Sequence, residues 1–187
     1  MKNFFAAALL SLITFFGFSG CNKTNESNSG AEFYEVTKVS DGDTFEVFRY
    51  GKKEKIRLIG VDTPETKLNE KNYKLSKKHD INVDSLVRWG KNASSFLKQT
   101  LAPGTKVRLE FDKDSTDQYK RTLAYAYFQD GRMINRVIAE SGYCFAVFYS
   151  PNYKYRSELE AAVENAKEKG LGIWSVKDGF KKKMKYE

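Results

Sequence analysis

Apolar and polar residues alternate along several short stretches of the chain from residue 33 onward. This pattern predicts strands at residues 36–39, 44–50, 54–61, 105–111 and 123–128. Apolar residues at helical spacing predict three helices, over residues 86–97, 133–141 and 159–166, the first with Asp84 as its N-cap. Strands, then a helix, then more strands and further helices are typical of a small α+β protein, mainly β, in which helices pack on a barrel.

The first 21 residues have a different pattern. Lys2 precedes an apolar run, Phe4 to Phe18, which ends in Ser19-Gly20-Cys21. This order predicts a secretory signal over residues 1–20, because the run is shorter than the about 20 residues of a membrane span. An uncleaved anchor or a hydrophobic first helix is the alternative. The letters F-S-G-C resemble a bacterial lipobox, which implies lipidation of Cys21 and export to the cell envelope, either membrane-anchored or secreted.

The remaining chain divides into three parts. Residues 21–32 are rich in Asn, Ser and Thr and predict a flexible tether. The folded domain is predicted over 33–176, and a basic tail, 177–187, follows it.

Composition limits the chemistry. The formal charge of +8 favours a polyanionic partner. One histidine excludes mechanisms that need two imidazoles, and two cysteines exclude a disulfide scaffold or a four-cysteine zinc site. Cys144 lies in an apolar run and is predicted to be a buried, unreactive thiol.

Acidic residues flank a predicted hairpin. If the turn centres near Gly51-Lys52, residue 43 lies opposite about residue 60, which brings Asp41, Asp43 and Asp62 together. Clustered carboxylates repel one another, and a hard cation such as calcium or magnesium relieves that repulsion. A solvated turn is the alternative interpretation, since Asp-Gly is a common turn signal.

Two arginines and a further carboxylate accompany this cluster. Arg57 lies on the same hairpin, Glu65 follows Pro64, and the loop 113–120 leads to Arg121. Carboxylates, a metal ion and guanidinium groups are the groups that phosphoryl transfer requires.

Several strings of this sequence resemble the staphylococcal nuclease (thermonuclease) family. They are V-S-D-G-D-T at 39–44, I-R-L-I-G-V-D-T-P-E-T at 56–66, R-T-L-A-Y at 121–125, A-V-F-Y-S-P-N at 146–152 and Ile173-Trp174. The resemblance covers about residues 34–175. It implies an OB-type five-stranded barrel with about three helices. It also implies calcium-dependent endonucleolytic cleavage of DNA and RNA that leaves 3′-phosphate ends.

The resemblance also implies roles for single residues. The calcium ligands of the family correspond to Asp43, Asp62 and the Thr63 carbonyl, although the resemblance leaves other divalent cations open. An outer carboxylate of the family corresponds to Asp41. Arg57 and Arg121 correspond to the arginines that hold the phosphate, and Glu65 to the general base. Tyr119 and Tyr149 correspond to tyrosines near the substrate, although packing at the barrel edge explains such rings equally well.

The sequence departs from the family pattern at three places. The segment 67–83 is longer and rich in Lys and Asn, and its His79 is predicted to be exposed and not catalytic. Lys120 stands where the family commonly has Gly, and lysine there would either remove a positive φ and shift Arg121 or add a contact to phosphate. Val147 stands where the reference has a tyrosine.

The leading hypothesis is therefore a metal-dependent nuclease whose partners are DNA or RNA and, through Cys21, a membrane. No protein partner is predicted, and the chain is expected to be a monomer. A non-catalytic nucleic-acid-binding barrel is the second hypothesis. The third is a lipoprotein that binds a small anionic ligand or a surface partner.

Overall fold

The computed structural model describes residues 31–175. The predicted signal segment 1–20, Cys21, the tether as far as residue 30 and the basic tail 177–187 lie outside the described residues. Within residues 31–175, no helix combines the length and apolar character that crossing a membrane requires.

The described residues form seven strands and four α-helices. The strands are β1 Phe33–Asp41, β2 Thr44–Arg49, β3 Lys52–Leu58, β4 Gly60–Asp62, β5 Lys106–Glu110, β6 Thr122–Phe128 and β7 Phe145–Val147. The α-helices are α1 Glu70–His79, α2 Val83–Thr100, α3 Ile134–Ser141 and α4 Arg156–Glu168, and a 3₁₀ turn spans Gly172–Trp174.

Five of the strands close into a barrel in the order β1-β2-β3-β6-β5, while β4 and β7 form a separate two-stranded sheet. The barrel interior is filled by fully buried side chains such as Phe45, Ile56 and Tyr125, against which α2 places Trp89. This confirms the predicted five-stranded OB-type barrel.

The number of helices differs from the prediction. Segment 67–83 contains helix α1, so four α-helices are present in the described part of the chain where three were expected. Asn69 starts α1, because its side-chain oxygen accepts a hydrogen bond from the Asn72 N–H at 3.0 Å. Helix α2 likewise begins after Asn82, not after Asp84, since the Asn82 Oδ1 accepts from Asp84 N–H at 2.8 Å.

The β2–β3 hairpin turns one residue earlier than predicted, which shifts the pairing of its strands by two positions. Tyr50 and Gly51 both have positive φ, 49° and 77°, which is typical of the two-residue turns that match strand twist. Thr44 therefore pairs with Arg57, and the Leu58 N–H donates to the Asp43 carbonyl at 3.0 Å. Residue 43 thus lies opposite residue 58, two positions from the predicted residue 60.

A sharp bend after β3 still brings the acidic residues together. Gly60 has φ +77°, and a Cβ there would lie 2.7 Å from the side chains of Leu159 and Phe148. The buried Asn135 fixes this bend, since its Nδ2 donates to the Ile59 carbonyl at 2.8 Å and its Oδ1 accepts from the Ala126 N–H at 3.0 Å. The chain leaving the barrel as β4 therefore passes over the open end of the hairpin.

Candidate active site

Asp43 links the two ends of the β2–β3 hairpin. This carboxylate is only 4% exposed. Its Oδ2 accepts hydrogen bonds from the Thr63 N–H at 2.9 Å and the Thr63 hydroxyl at 3.0 Å, and its Oδ1 accepts from the Thr44 hydroxyl at 3.0 Å. A buried charge needs such partners, so Asp43 holds the segment after β4 against the barrel.

Arg57 joins the two carboxylates that were predicted as metal ligands. Its Nη1 lies 3.2 Å from the Asp43 Oδ2, and its Nη2 lies 2.7 Å from the Asp62 Oδ1. Nη1 also donates to the main-chain carbonyls of Leu58 and Val61. The structure therefore places Arg57, Asp43, Asp62 and Thr63 in one partly buried cluster.

The pKa values in this cluster reflect mutual charge pairing. Burial alone would raise the pKa of Asp43, but the charges of Arg57 and Lys71 and the Thr63 N–H hold the pKa below its usual range. Burial would likewise lower the pKa of Arg57, whereas the carboxylates of Asp43 and Asp62 raise it. Both groups are therefore charged at neutral pH.

Glu65 and Asp41 lie beside this cluster. The turn at residues 64–65 packs against helix α2 at Gly90, where a Cβ would lie 2.4 Å from the Glu65 carbonyl oxygen. Burial raises the pKa of Asp41 to about 6, and the carboxylates of Asp43 and Glu65 add to that shift against the opposing hydrogen bond from the Gly42 N–H. Asp41 is thus close to Glu65, as a peripheral acidic group of the site.

Two residues of helix α1 belong to the site although no sequence motif singles them out. The Lys71 ammonium contacts the Asp62 carboxylate at 3.0 Å, the Thr63 carbonyl at 2.8 Å and the Glu65 carboxylate at 2.9 Å. The fully buried Asn72 binds the main chain of Glu65 and the carbonyl of Lys67. The sequence feature that points to this helix is Asn69 near the start of the segment 67–83, because asparagine is a preferred residue at a helix N-cap.

The oxygen atoms of the cluster suit a hard divalent cation by their chemistry. Asp43, Asp62 and the Thr63 carbonyl are all-oxygen donors, the kind that calcium and magnesium prefer. In the described part of the chain, no three His, Cys, Asp or Glu side chains are arranged to hold a metal ion as they stand. The proposed set has only two carboxylate side chains, because its third donor is a main-chain carbonyl, and Arg57 and Lys71 contact these oxygens.

Arg121 is paired with the carboxylate of Asp117 in the loop that precedes it. Its Nε and Nη2 each lie 2.7 Å from the Asp117 Oδ2, and its N–H donates to the Asp117 Oδ1 at 2.9 Å. Lys120 keeps a left-handed backbone with φ +60°. The concern that lysine would remove the positive φ before Arg121 is therefore wrong, because the loop imposes that conformation on Lys120.

Both predicted substrate tyrosines are exposed. Tyr119 and Tyr149 are 71% and 73% exposed, so neither packs as a core ring. Tyr149 is electrostatically coupled to the Arg57 guanidinium. Buried Asn152 ties the two loops together, since its amide exchanges hydrogen bonds of 2.8 Å with both main-chain groups of Asp114.

The two remaining titratable residues singled out in the sequence lie elsewhere. The His79 ring stacks on Phe145 with centroids 4.8 Å apart, so it is half-buried and not exposed as predicted. Cys144 is fully buried, and burial raises its pKa well above the usual range, which fits the predicted unreactive thiol.

Comparison with known proteins adds the family context. A family model described as "Staphylococcal nuclease homologue" matches residues 55–176. The chain is 40% identical over 172 residues to the thermonuclease of Staphylococcus hyicus, covering 91% of this chain and 92% of that protein. It is also 40% identical over 153 residues to the thermonuclease of Staphylococcus intermedius (81% and 82%). Endonuclease YncB of Bacillus subtilis (strain 168) is 36% identical over 162 residues (84% and 69%).

Proposed function

This chain belongs to the staphylococcal nuclease family and is a nuclease, and from that premise we propose that it is a calcium-dependent endonuclease of DNA or RNA that leaves 3′-phosphate ends. The observation that supports the proposal most directly is the cluster of Asp43, Arg57 and Asp62, with Glu65 two residues beyond Thr63. The proposed reaction adds water to phosphorus and breaks the bond to the 5′ oxygen, which leaves as a hydroxyl.

Each group of the site has a proposed part in that reaction. The divalent cation would be held by Asp43, Asp62 and the Thr63 carbonyl. When bound, it would stabilise the negative charge that develops on a phosphoryl oxygen. Arg57 and Arg121 would bind phosphate oxygens, a role that suits the planar guanidinium group. Glu65 would accept the proton of the attacking water.

The arginines need different rearrangements to reach a phosphate. Arg57 already lies in the cluster, and only a shift of its hydrogen bonds would direct it toward substrate. Arg121 would have to exchange its contact with Asp117 for the phosphate. Phosphate competes well for a partly exposed guanidinium, so we expect substrate to release Arg121 from Asp117.

The proposed activity is tested by incubating the purified protein with end-labelled single-stranded DNA in calcium and then in a chelator. We expect cleavage only with calcium and products whose 3′ ends become extendable after phosphatase treatment. Asp43→Asn should lose at least about 100-fold in kcat, as expected when a group that stabilises transition-state charge is removed. Asp130→Asn, in an exposed turn, is the matched control. Binding of intact DNA without turnover would favour the non-catalytic alternative.

We further propose that the protein is exported and held at a membrane by lipid on Cys21. The support is the order of charges, apolar residues and small residues before Cys21. In a bacterial host, Cys21→Ser should move the protein from the membrane fraction to the soluble fraction. The intact mass of the membrane-bound form should include acyl chains, and an unmodified mass would contradict the proposal.

A further inference from the structure

The Lys71 ammonium lies where three oxygen groups of one short segment converge. Its Nζ is 3.0 Å from the Asp62 Oδ1, 2.8 Å from the Thr63 carbonyl oxygen and 2.9 Å from the Glu65 Oε1. Two of these three oxygen groups belong to the proposed cation ligands, and the third belongs to the proposed base. A single positive charge thus contacts the groups that a divalent cation would need.

The position of Lys71 is fixed by its helix. Asn72, the next residue, is fully buried and binds the Glu65 N–H, the Glu65 carbonyl and the Lys67 carbonyl at 3.0, 3.0 and 3.1 Å. The first turn of α1 is therefore fastened to the turn that carries Glu65. Lys74, one turn further along α1, has an 80% exposed side chain and a single long contact of 3.7 Å with Glu70.

The local charge balance depends on Lys71. Asp41, Asp43, Asp62 and Glu65 bring four carboxylates together, and among the described residues the cations in contact with Asp43 and Asp62 are Arg57 and Lys71. Burial alone would lower the pKa of Lys71, but the charges of Asp62, Asp43 and Glu65 raise it above its usual value. Lys71 is thus a built-in counter-charge of the acidic cluster.

We propose that the Lys71 ammonium and a divalent cation compete for the same oxygens, so that Lys71 sets the cation concentration at which this site fills. The Asp62 Oδ1 already contacts both Arg57 and Lys71, and the Thr63 carbonyl accepts from Lys71. A doubly charged ion bound to these two oxygens would lie at contact distance from the ammonium, where the two positive charges repel strongly. Cation binding therefore requires the ammonium to withdraw.

Calcium titration by calorimetry tests the competition, and it rests on the proposed metal dependence. Lys71→Met keeps the side-chain length and removes the charge, so we expect its calcium affinity to be at least tenfold higher than that of the wild type. Lys71→Arg should stay near the wild type because it keeps the charge, and Lys74→Met, which lacks the cluster contacts, should not change the affinity.

The outcomes separate this inference from the proposed function. Calcium binding by the wild type with equal or weaker binding by Lys71→Met overturns the competition alone. Binding by Lys71→Met but not by the wild type supports the competition and contradicts calcium dependence of the natural chain. Binding by neither protein overturns both.

A second measurement uses the unaltered protein and so does not depend on how a variant folds. Lysine acetylation, quantified by mass spectrometry, should be slow at Lys71 without calcium and at least several-fold faster at saturating calcium. The rate at Lys74 should be the same in both conditions. Unchanged protection of Lys71 in a protein that calorimetry shows to be calcium-bound would overturn the inference.

Discussion

The amide of Asn72 holds both main-chain groups of Glu65. Its Oδ1 accepts from the Glu65 N–H and its Nδ2 donates to the Glu65 carbonyl, each at 3.0 Å, while the side chain itself has no exposed surface. The proposed base is therefore positioned by a helix and not by the barrel that carries Asp43 and Arg57.

Replacing Asn72 by alanine should affect stability and activity together. The change leaves buried polar main-chain groups without partners, which costs about 2–3 kcal/mol of unfolding free energy. We also expect a fall in kcat of about tenfold or more, because a displaced Glu65 is poorly oriented. Urea unfolding and single-turnover cleavage measure the two effects.

Asn82→Ala is the control for Asn72→Ala. Asn82 also caps a helix, but its contacts are the exposed N–H groups of Asp84 and Ser85. This variant should lose about 1 kcal/mol of stability and keep its kcat. An equal loss of kcat in both variants would show that Glu65 does not depend on Asn72.

Replacing Arg57 by lysine should separate charge from geometry. Lysine keeps the positive charge but cannot reach the Asp43 and Asp62 carboxylates together with a planar fork. We expect kcat to fall by about 100-fold or more, the size seen when one stabilising donor is lost. Steady-state cleavage of single-stranded DNA measures it, and circular dichroism should show an intact fold.

The control for Arg57→Lys is Arg132→Lys. Arg132 bonds Asp130 in an exposed turn, far in sequence from the acidic cluster. Its replacement should leave cleavage unchanged. Full activity in Arg57→Lys would mean that the positive charge of Arg57 suffices without its geometry.

Replacing Lys120 by glycine should stabilise the protein. Lys120 has φ +60°, a region that costs a non-glycine residue about 1 kcal/mol or more. We expect thermal unfolding to shift upward by a few degrees, which corresponds to about 1 kcal/mol in a domain of this size. Lys113→Gly, at a position without positive φ in the same loop, should instead be neutral or destabilising. A lower Tm for Lys120→Gly would contradict the strain.

His79 should make a measurable contribution to the pH dependence of stability. Burial against Phe145, with the charges of Lys78 and Lys167, lowers its pKa. As the pH falls below about 6.5, the usual pKa of histidine, His79 is protonated in the unfolded chain before it is protonated in the folded protein. Stability is therefore lost as the pH falls from about 6.5 through the lower pKa of the folded state. As the chain has one histidine, proton NMR gives the pKa directly.

The variant His79→Gln isolates this contribution. Loss of the stacking on Phe145 should lower its free energy of unfolding by about 1 kcal/mol at every pH. The difference in unfolding free energy from the wild type should shrink between pH 7 and pH 5. Asp41 has the opposite effect, because its raised pKa of about 6 makes stability fall as the pH rises. Since Asp41 is present in both proteins, its effect cancels in the difference between them. A constant difference would contradict the lowered pKa.

The barrel was predictable from sequence because its strands alternate in hydrophobicity, as in Val107 and Leu109 of β5. Helix α1 was not predictable in this way, because nearly every side chain in it is polar and only Asn72 is fully buried. The hairpin register differs by two positions from the prediction because the turn begins at Tyr50, and the sequence gives no sign of the positive φ of that residue.

The site was predictable as a set of carboxylates and arginines but not as a network. The meeting of Asp43 and Asp62 depends on the bend at Gly60 and on Asn135, which lies 76 positions from the carbonyl that it binds. Lys71 lies in a lysine-rich segment, and only the fold distinguishes its side chain from that of Lys74. Long-range contacts of this kind leave no local pattern.

The Asn152 amide has a mechanical consequence for the two exposed tyrosines. By clamping the main chain of Asp114, it makes the loops of Tyr119 and Tyr149 one body although they lie far apart in sequence. If both tyrosines contact substrate, as predicted above, removing the Asn152 amide would weaken the two contacts together.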